Sequence, residues 1–315
     1  MKKTFLLIID LIFLTRPIII VPVWAFCVFG ALFSFPKAFS LEPSHYLLIF
    51  LYSMSAASVY VINQMADYEV DKTNEGFPLL VRGNISMKAA GVCAGICGLI
   101  SILGPFLMGY ASVALLSLIA IIAGYLYSCK PFSLSGRPFS DFLTNAFEAF
   151  LAFAAGWCIY GEQLTDPALY KQALPFFLLM CAGSISSTLP DILGDKAHGK
   201  ITTAVRFGPK SAHCIALMAL IAVIPASLLI SQDAFAAVCS ILVIPAYIPY
   251  LFNSKSIFME IPHKVGGAIV MLIAATVDLM LLPAGIIIYF MTWLYFRLRH
   301  RVAYPSLKPR AMNVQ

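Results

Sequence analysis

Long apolar runs recur along the whole chain and alternate with shorter polar segments. Each run approaches the roughly 20 residues that an α-helix needs to cross the hydrocarbon core of a bilayer. The alternating segments of about ten residues that build membrane β-barrels are not visible in the sequence. The pattern therefore predicts an all-α protein, a polytopic membrane bundle of about nine transmembrane helices. The nine predicted spans are residues 15–36, 45–66, 88–108, 110–128, 140–160, 173–190, 211–231, 234–252 and 266–292.

The composition agrees with a chain that lies in lipid. Of the 315 residues, 61% are hydrophobic and only 11% are charged, whereas a soluble domain carries about a quarter charged residues. The eight cysteines include no CxxC pair and no Cys/His cluster with zinc spacing. We therefore expect a single transmembrane domain over residues 1–315 that has the lipid bilayer as a partner and does not bind nucleic acid.

Basic residues predict the orientation of the chain in the membrane. The start, MKKTFLLIIDLIFL, imitates a signal peptide but has no small-residue cleavage site, so we expect it to be retained. With the N-terminus inside, the inside segments hold 14 of the 21 Lys and Arg residues, the outside loops hold only Lys37 and Lys171, and the C-terminal tail holds the other five. The long polar loops then lie on the cytoplasmic side, at the inner membrane if the protein is bacterial. Nine spans put the basic tail outside, so either the tail is an exception or one span near the end is miscounted.

The second span is followed by the polar segment NQMADYEVDKTN, residues 63–74. Asn63, Asp67 and Asp71 are spaced four residues apart, and at about 100° per residue they share one helix face. The sixth span ends in the same way, with Asp191 and Asp195 on one face. If the two helix ends converge, four carboxylates and an amide face one another at the membrane border.

The two polar loops, residues 63–87 and 190–210, form a weak internal repeat. Both read D-x3-D-x10-R, which ends at Arg82 in the first loop and at Arg206 in the second. Internal repeats in membrane proteins often have a binding site between the halves. The repeat therefore adds weight to a functional reading of the paired acids.

Oxygen ligands without His or Cys favour a hard cation, Mg²⁺ before Zn²⁺. Mg²⁺ usually binds one or two carboxylates and completes its coordination with water and substrate phosphates. Basic side chains near the acids are candidates to hold the remaining phosphate oxygens. They are Lys72, Arg82, Lys196, Lys200 and Arg206. A phosphorylated headgroup beside apolar spans predicts a polyprenyl diphosphate as the ligand.

These residues resemble the intramembrane prenyltransferases of the UbiA superfamily, and most nearly the homogentisate type. The first motif matches at Asn63-Gln64, Asp67, Glu69, Asp71-Lys72, Asn74, Gly83 and Ser86. The second matches at Pro190-Asp191-Ile192, Gly194-Asp195-Lys196, Gly199, Val205-Arg206 and Gly208. A loop pattern of the family matches at Tyr127, Ser128, Pro131, Phe132 and Leu134, and Arg16-Pro17 resembles its entry to the first span.

The resemblance implies a helical bundle around a central cavity and a Mg²⁺-dependent prenyl transfer. Asn63, Asp67 and Asp71 would hold one ion, and Asp191 and Asp195 another, with all four Asp residues catalytic. Eight residues are expected to contact the substrate. They are Lys72, Arg82, Lys196, Arg206, Arg16, Tyr68, Tyr127 and Lys130. Where the family often has a Lys after the Tyr-Ser loop, this chain has Ser135, and Lys130 or Arg137 would substitute.

The acceptor is expected to be hydrophobic or aromatic, most simply a quinone or tocopherol precursor. Alternatives within the superfamily are a non-aromatic lipid, a chlorophyll-type or carotenoid acceptor, or a terpene cyclisation without an acceptor. A transporter is the alternative from another class, because intramembrane acids and internal repeats suit transport as well. The acids here lie at helix ends beside Lys, which fits diphosphate chemistry better.

Three acids fall within apolar spans, where a charge is costly and often functional. Asp10 has the further readings of a pair with Arg16 or a position at the interface. Glu148 is a candidate to orient the acceptor or to take its proton. Asp278 is expected in the middle of the last span, five residues before Pro283. Hydrogen bonding between helices is the alternative for all three.

Overall fold

The computed structural model describes residues 2–36, 39–73, 78–161, 163–253 and 255–305. Over these ranges the chain forms helices and no strands, which confirms the predicted all-α fold class. The helices are α1 Lys2–Leu14, α2 Pro17–Ser34, α3 Pro43–Ala66, α4 Tyr68–Thr73, α5 Pro78–Val81, α6 Met87–Leu107, α7 Ala111–Ser128, α8 Ser140–Trp157, α9 Pro167–Thr188, α10 Ile192–Ala197, α11 Thr203–Phe207, α12 Pro209–Pro225, α13 Phe235–Phe252, α14 Ser256–Val277 and α15 Leu281–Tyr295.

Short 3₁₀ and π segments extend several of these helices. Turns of 3₁₀ helix follow α8 and α9. Single π-helical segments follow α12 at Ala226–Ser231 and α15 at Phe296–His300. Ten helical segments of the described chain are long and apolar enough to cross a membrane, close to the predicted nine. Large apolar side chains such as Leu107 and Leu229 are strongly exposed, as a lipid-facing surface requires.

The predicted span 266–292 is wrong, because two helices occupy this region. Helix α14 ends at Val277, and α15 begins at Leu281. Asp278 lies between them, not in mid-span, and its Oδ1 accepts a hydrogen bond from the Met280 N–H at 3.1 Å. Pro283 falls in the first turn of α15, where its missing N–H is tolerated. An even number of crossings would return the basic tail to the side of the N-terminus, as the positive-inside rule favours.

Residues before the first predicted span form a helix of their own. Helix α1 ends at Leu14, and Arg16 then adopts a left-handed backbone with φ of 53° before α2 begins. The start of the chain is therefore a separate short helix that leads into the first long one.

Contacts divide the chain into two compact units, each described by itself. The first unit comprises Met1–Ser133, Leu151–Leu164 and Asp278–Pro305. The described part of the second comprises Leu134–Phe150 and Thr165–Val277. The expected single domain over residues 1–315 stays a prediction.

In the first unit, α3 packs against α6 and α7. Helix α2 meets the 151–157 stretch of α8 at very short range. A Cβ atom on Gly30 would collide with the Phe153 backbone, and one on Gly156 would collide with the Cys27 backbone. Small residues therefore let these two helices approach closely, as is common in membrane bundles.

In the second unit, α9 packs against α12 and α14, and α13 packs against α12 and α14. Tyr247 is buried in this core, where its hydroxyl lies 2.8 Å from Ser186 Oγ. The Tyr247 carbonyl lies 2.9 Å from Nε2 of the buried His213. Helix α9, which ends at the second Asp-rich loop, is thus packed into the core of this unit.

Candidate active site

The first Asp-rich motif begins where α3 ends. The Asp67 N–H donates to the Asn63 carbonyl at 2.9 Å, and the Asp71 N–H donates to the Asp67 carbonyl at 2.8 Å. Helical four-residue steps thus continue from α3 into α4 through the motif. The Asn63 amide nitrogen donates to Asp67 Oδ2 at 3.1 Å and to Ser128 Oγ at 3.2 Å. This geometry supports the predicted shared face for the first two of these residues.

The Tyr-Ser loop after α7 lies beside this motif. Ser128 is buried, and Tyr127 is half-buried. Burial, and secondly the negative charge of Asp67, raise the pKa of the Cys129 thiol. The loop and the first motif therefore belong to one local environment within the first unit, although the predicted contact Lys130 is exposed there.

Other candidate residues of the first unit differ in exposure. Asp67, Tyr68, Asp71 and Arg16 are half-buried, and Lys72 is exposed. The motif residue Asn74 lies outside the described residues. Gly83 has φ of +70°, a left-handed conformation that glycine adopts without strain. Ser86 caps α6 by accepting from the Ala89 N–H at 3.2 Å.

Arg82 lies in the exposed turn between α5 and α6. Its Nη1 donates to the His300 carbonyl at 2.8 Å, so at least one of its N–H groups holds backbone near the chain end. Sequence reasoning assigned Arg82 to a diphosphate, and this assignment stays a prediction. The structure adds a contact that the sequence did not suggest.

The second motif follows α9 through a 3₁₀ turn, Leu189–Asp191, that runs into α10. Asp191 is exposed at this junction, and Asp195 is half-buried in the short helix. The Asp195 carbonyl accepts from the Lys200 N–H at 2.9 Å. His198 is half-buried, and its Nδ1 lies 2.9 Å from the Gly194 carbonyl. Lys196 is exposed beside the motif.

A buried polar network that the sequence analysis missed supports the second loop. Asp141, only 1% exposed, accepts from the Thr203 N–H at 2.7 Å and from its hydroxyl at 2.6 Å. The Phe139 N–H donates to the same hydroxyl at 2.8 Å. These bonds fix the start of α11, which carries the exposed Arg206 in its last turn. An acid in the first turn of a helix is common, so the position of Asp141 in the sequence does not indicate this role.

The acids within apolar spans have structural partners in two of three cases. Asp10 accepts from Arg299 Nη2 at 3.0 Å and from the Tyr295 hydroxyl, so its ion-pair partner is Arg299, where the sequence suggested Arg16. A position of Asp10 at the membrane interface stays a prediction. Asp278 also accepts from the Tyr46 hydroxyl at 3.0 Å. Within the described chain, Glu148 Oε1 is buried without a hydrogen-bond partner. A role for Glu148 in the reaction stays a prediction.

Both motifs offer donors that suit Mg²⁺. Among the described residues no three His, Cys, Asp or Glu side chains form a ready-made metal cluster. Mg²⁺ does not require one, since it commonly keeps several waters and takes one or two carboxylates with phosphate oxygens. The oxygen-only donors Asn63, Asp67 and Asp71 fit this preference, as do Asp191 and Asp195.

The described chain thus combines ten helices long and apolar enough to cross a membrane with two oxygen-donor motifs at helix ends, each followed by basic residues. A family model described as "UbiA prenyltransferase family" matches residues 23–258. This match covers most of the chain. The chain belongs to the UbiA prenyltransferase family, as the sequence motifs indicated.

Two kinds of curated relative match parts of the chain. A digeranylgeranylglyceryl phosphate synthase of Sulfolobus acidocaldarius is 32% identical over 183 residues, which are 56% of this chain and 62% of that protein. A probable homogentisate phytyltransferase 2 of Oryza sativa is 26% identical over 164 residues, 48% of this chain and 41% of that one. The chain thus matches less than two thirds of the length of both. The comparisons therefore do not confirm that this chain resembles homogentisate prenyltransferases more than other members of the family.

A solved structure agrees in fold over most of the chain. A UbiA homolog from Archaeoglobus fulgidus bound to GPP and Mg²⁺ matches with a TM-score of 0.61 and 25% identity. The match covers 85% of this chain and 99% of that one. Mg²⁺, the ion expected from the sequence, is thus the ion bound in that relative.

Proposed function

We propose that this protein transfers a prenyl group from a polyprenyl diphosphate to a hydrophobic acceptor within the membrane, with Mg²⁺ as the required ion. The main support for this proposal is the pair of oxygen-donor motifs at the ends of α3 and α9 in a member of this family. Asn63, Asp67 and Asp71 would hold one ion, and Asp191 and Asp195 another. Mg²⁺ would supply positive charge that stabilises the leaving diphosphate.

The remaining candidates have distinct roles in this proposal. Lys and Arg side chains bind diphosphate oxygens that the ions leave open. These are Lys72, Arg82, Lys130, Lys196, Arg206 and Arg16. Tyr68 and Tyr127 contact the substrate, and aromatic faces stabilise the allylic cation. The apolar helices exclude water, which would otherwise quench that cation.

The transfer breaks the bond between carbon one of the prenyl chain and the diphosphate oxygen. The diphosphate leaves with the electron pair, and an electron-rich atom of the acceptor forms the new bond to that carbon. The acceptor then loses a proton. Glu148 is our candidate to take this proton, because its Oε1 is buried and has no partner among the described residues.

Two acceptor classes deserve a direct comparison. The motif resemblance to homogentisate prenyltransferases favours an aromatic ring. The match to a digeranylgeranylglyceryl phosphate synthase favours a prenylated glycerophosphate lipid. The first is our primary proposal because it rests on residues of the two motifs. The second is its alternative because the synthase is 32% identical over its match, against 26% for the homogentisate phytyltransferase.

The test uses purified full-length protein in nanodiscs with Mg²⁺ and geranylgeranyl diphosphate. Homogentisate and geranylgeranylglyceryl phosphate are offered separately, and products are followed by mass spectrometry. Diphosphate release that requires homogentisate and yields its prenylated form supports the primary proposal. A prenylated lipid product supports the alternative, and a hydrocarbon without any acceptor indicates a cyclase. Folded protein that releases no diphosphate from any prenyl length contradicts the proposed function.

A further inference from the structure

An ion pair and its hydrogen bonds join helix α1 to the segment after α15 in the first unit. Asp10 of α1 is 2% exposed. Both Nη2 and Nε of Arg299 donate to its carboxylate, at 3.0 Å and 3.3 Å. The Tyr295 hydroxyl donates to the same carboxylate and lies 3.1 Å from His300 Nε2. Asp10 is buried, whereas the Arg299 side chain is 34% exposed. Loss of Arg299 would leave a buried carboxylate without its charged partner, which is costly.

The same segment reaches the first Asp-rich loop. We call residues 295–304 the C-terminal segment. The His300 carbonyl accepts from Arg82, which follows the first motif by 11 residues. The C-terminal segment therefore binds Arg82, the basic residue that ends the first D-x3-D-x10-R pattern.

Apolar packing connects the two regions as well. A buried cluster combines residues of α1, α3, the loop around α5 and the C-terminal segment. Its members include Phe13, Val61, Leu79, Leu80, Ile85 and Phe296. Tyr68, inside the first motif, packs against this cluster, and the Phe13 and Tyr295 rings stack at 3.9 Å. The loop that carries the motif thus rests on the chain end.

Neither partner of the ion pair lies in the part of the chain that the family model matches. That part runs from residue 23 to residue 258, whereas Arg82 and the first motif lie inside it. The support for Arg82 is therefore supplied from outside the matched region.

We infer that Arg299 is a positioning residue for the first Asp-rich loop. Its ion pair with Asp10 fixes the His300 carbonyl, and this carbonyl orients Arg82 for diphosphate binding. The inference rests on the proposed function. Arg299 acts through Arg82 and does not itself contact the substrate.

The test is a double-mutant cycle of Arg299→Gln and Arg82→Gln in full-length protein. We expect Arg299→Gln to raise KM for the prenyl diphosphate about tenfold and to leave kcat within about twofold, as for a lost binding contact. In the Arg82→Gln background, Arg299→Gln should add no further change in KM, since both variants remove one interaction. Unchanged KM in Arg299→Gln, or fully additive effects in the double variant, would overturn the inference.

Arg297→Gln is the matched control, because Arg297 lies in the same π-helical segment but stacks over the Trp293 ring at 5.0 Å. It should leave KM and kcat unchanged. If Arg299→Gln does not fold, Tyr295→Phe, which keeps the ion pair and loses its hydroxyl bond, should shift KM in the same direction by a smaller factor. A Tyr295→Phe protein with wild-type KM would then count against the inference.

A second readout separates this inference from the proposed function. Hydrogen exchange of residues 78–86 should become faster in Arg299→Gln and not in Arg297→Gln. If the wild-type protein releases no diphosphate, the proposed function fails, and the exchange experiment still tests whether Arg299 orders this loop. Unaltered exchange in a folded Arg299→Gln protein overturns the positioning role whatever the activity.

Discussion

The two Asp-rich loops share a spacing pattern but are supported by different physical means. The first rests on an apolar cluster and on the C-terminal segment, which binds Arg82 through a backbone carbonyl. The second is supported by a buried carboxylate, Asp141, that binds both the N–H and the hydroxyl of Thr203. The repeat therefore extends to the acids and not to the contacts that hold them.

This difference shows what a spacing pattern can and cannot determine. Acids four residues apart share a helix face in any helix, so the pattern alone sets their local relation. Arg82 lies in a turn before α6, whereas Arg206 lies in the last turn of α11. Arg82 and Arg206 thus occupy matching positions of the sequence pattern, but one lies in a turn and the other in a helix.

Replacing a carboxylate of either motif should have the largest effect. We expect Asp67→Asn and Asp191→Asn each to lower the rate of diphosphate release by about 10²–10³-fold, as for other losses of electrostatic stabilisation at a leaving group. Steady-state assays with varied Mg²⁺ measure this. Asp166→Asn is the control, since Asp166 only caps α9 and Asn keeps that function. Full activity in either motif variant would remove that loop from the proposed site.

Leu79→Ala should destabilise the first loop through lost packing. Leu79 is completely buried in the cluster, and such a truncation costs about 2–5 kcal/mol. Thermal unfolding in detergent and hydrogen exchange of residues 78–86 measure the effect. Leu193, 55% exposed in the second loop, gives the matched comparison, where Leu193→Ala should change stability by no more than about 0.5 kcal/mol. Equal losses in both variants would contradict the contrast between the loops.

Asp141→Ala should weaken the second loop by a smaller amount. The Thr203 N–H and hydroxyl would both lose a buried acceptor, at a cost of about 1–3 kcal/mol. Faster hydrogen exchange of residues 200–206, with that of residues 78–86 unchanged, is the expected result. Thr203→Ser keeps the hydroxyl and serves as the control. Protection of residues 200–206 that survives in Asp141→Ala would show that other contacts hold this loop.

The smallest expected effect concerns the thiol beside the first motif. Because the Asp67 carboxylate contributes to the raised pKa of Cys129, Asp67→Asn should lower that pKa and increase the thiolate fraction at pH 8. Alkylation of a variant with Cys129 as its only cysteine should accelerate by less than about tenfold, the factor for one pKa unit. Unfolded samples of both proteins should react alike. A slower reaction in folded Asp67→Asn would contradict the assigned cause.

Local features of the fold could be predicted from the sequence. The helices that match the first eight spans end near turn residues or charges, and the four-residue steps from Asn63 to Asp71 depend only on neighbouring backbone. The break at Asp278 was missed because the apolar run continues on both sides of it. The metal and substrate assignments stay predictions that the experiments above test.

Supporting contacts could not be predicted, because their partners are distant in sequence. Asp141 and Thr203 are 62 positions apart, and Asp10 and Arg299 are 289 apart. Periodicity and spacing describe only a few turns of helix, whereas these pairs form only once helices have packed. The bonds around Asp10 also show why a buried acid in an apolar run does not by itself identify a catalytic group.

The discontinuous make-up of the first unit has a consequence for its biogenesis. This unit includes Met1–Ser133 and also Asp278–Pro305, with all described residues of the second unit between them in the chain. A ribosome must therefore synthesise most of the protein before Arg299 can reach Asp10. Of the ten membrane-length helices in the described chain, nine precede the one that carries Arg299, so they enter the membrane while that carboxylate still lacks its partner. The last helix thus completes the unit that the first helix began.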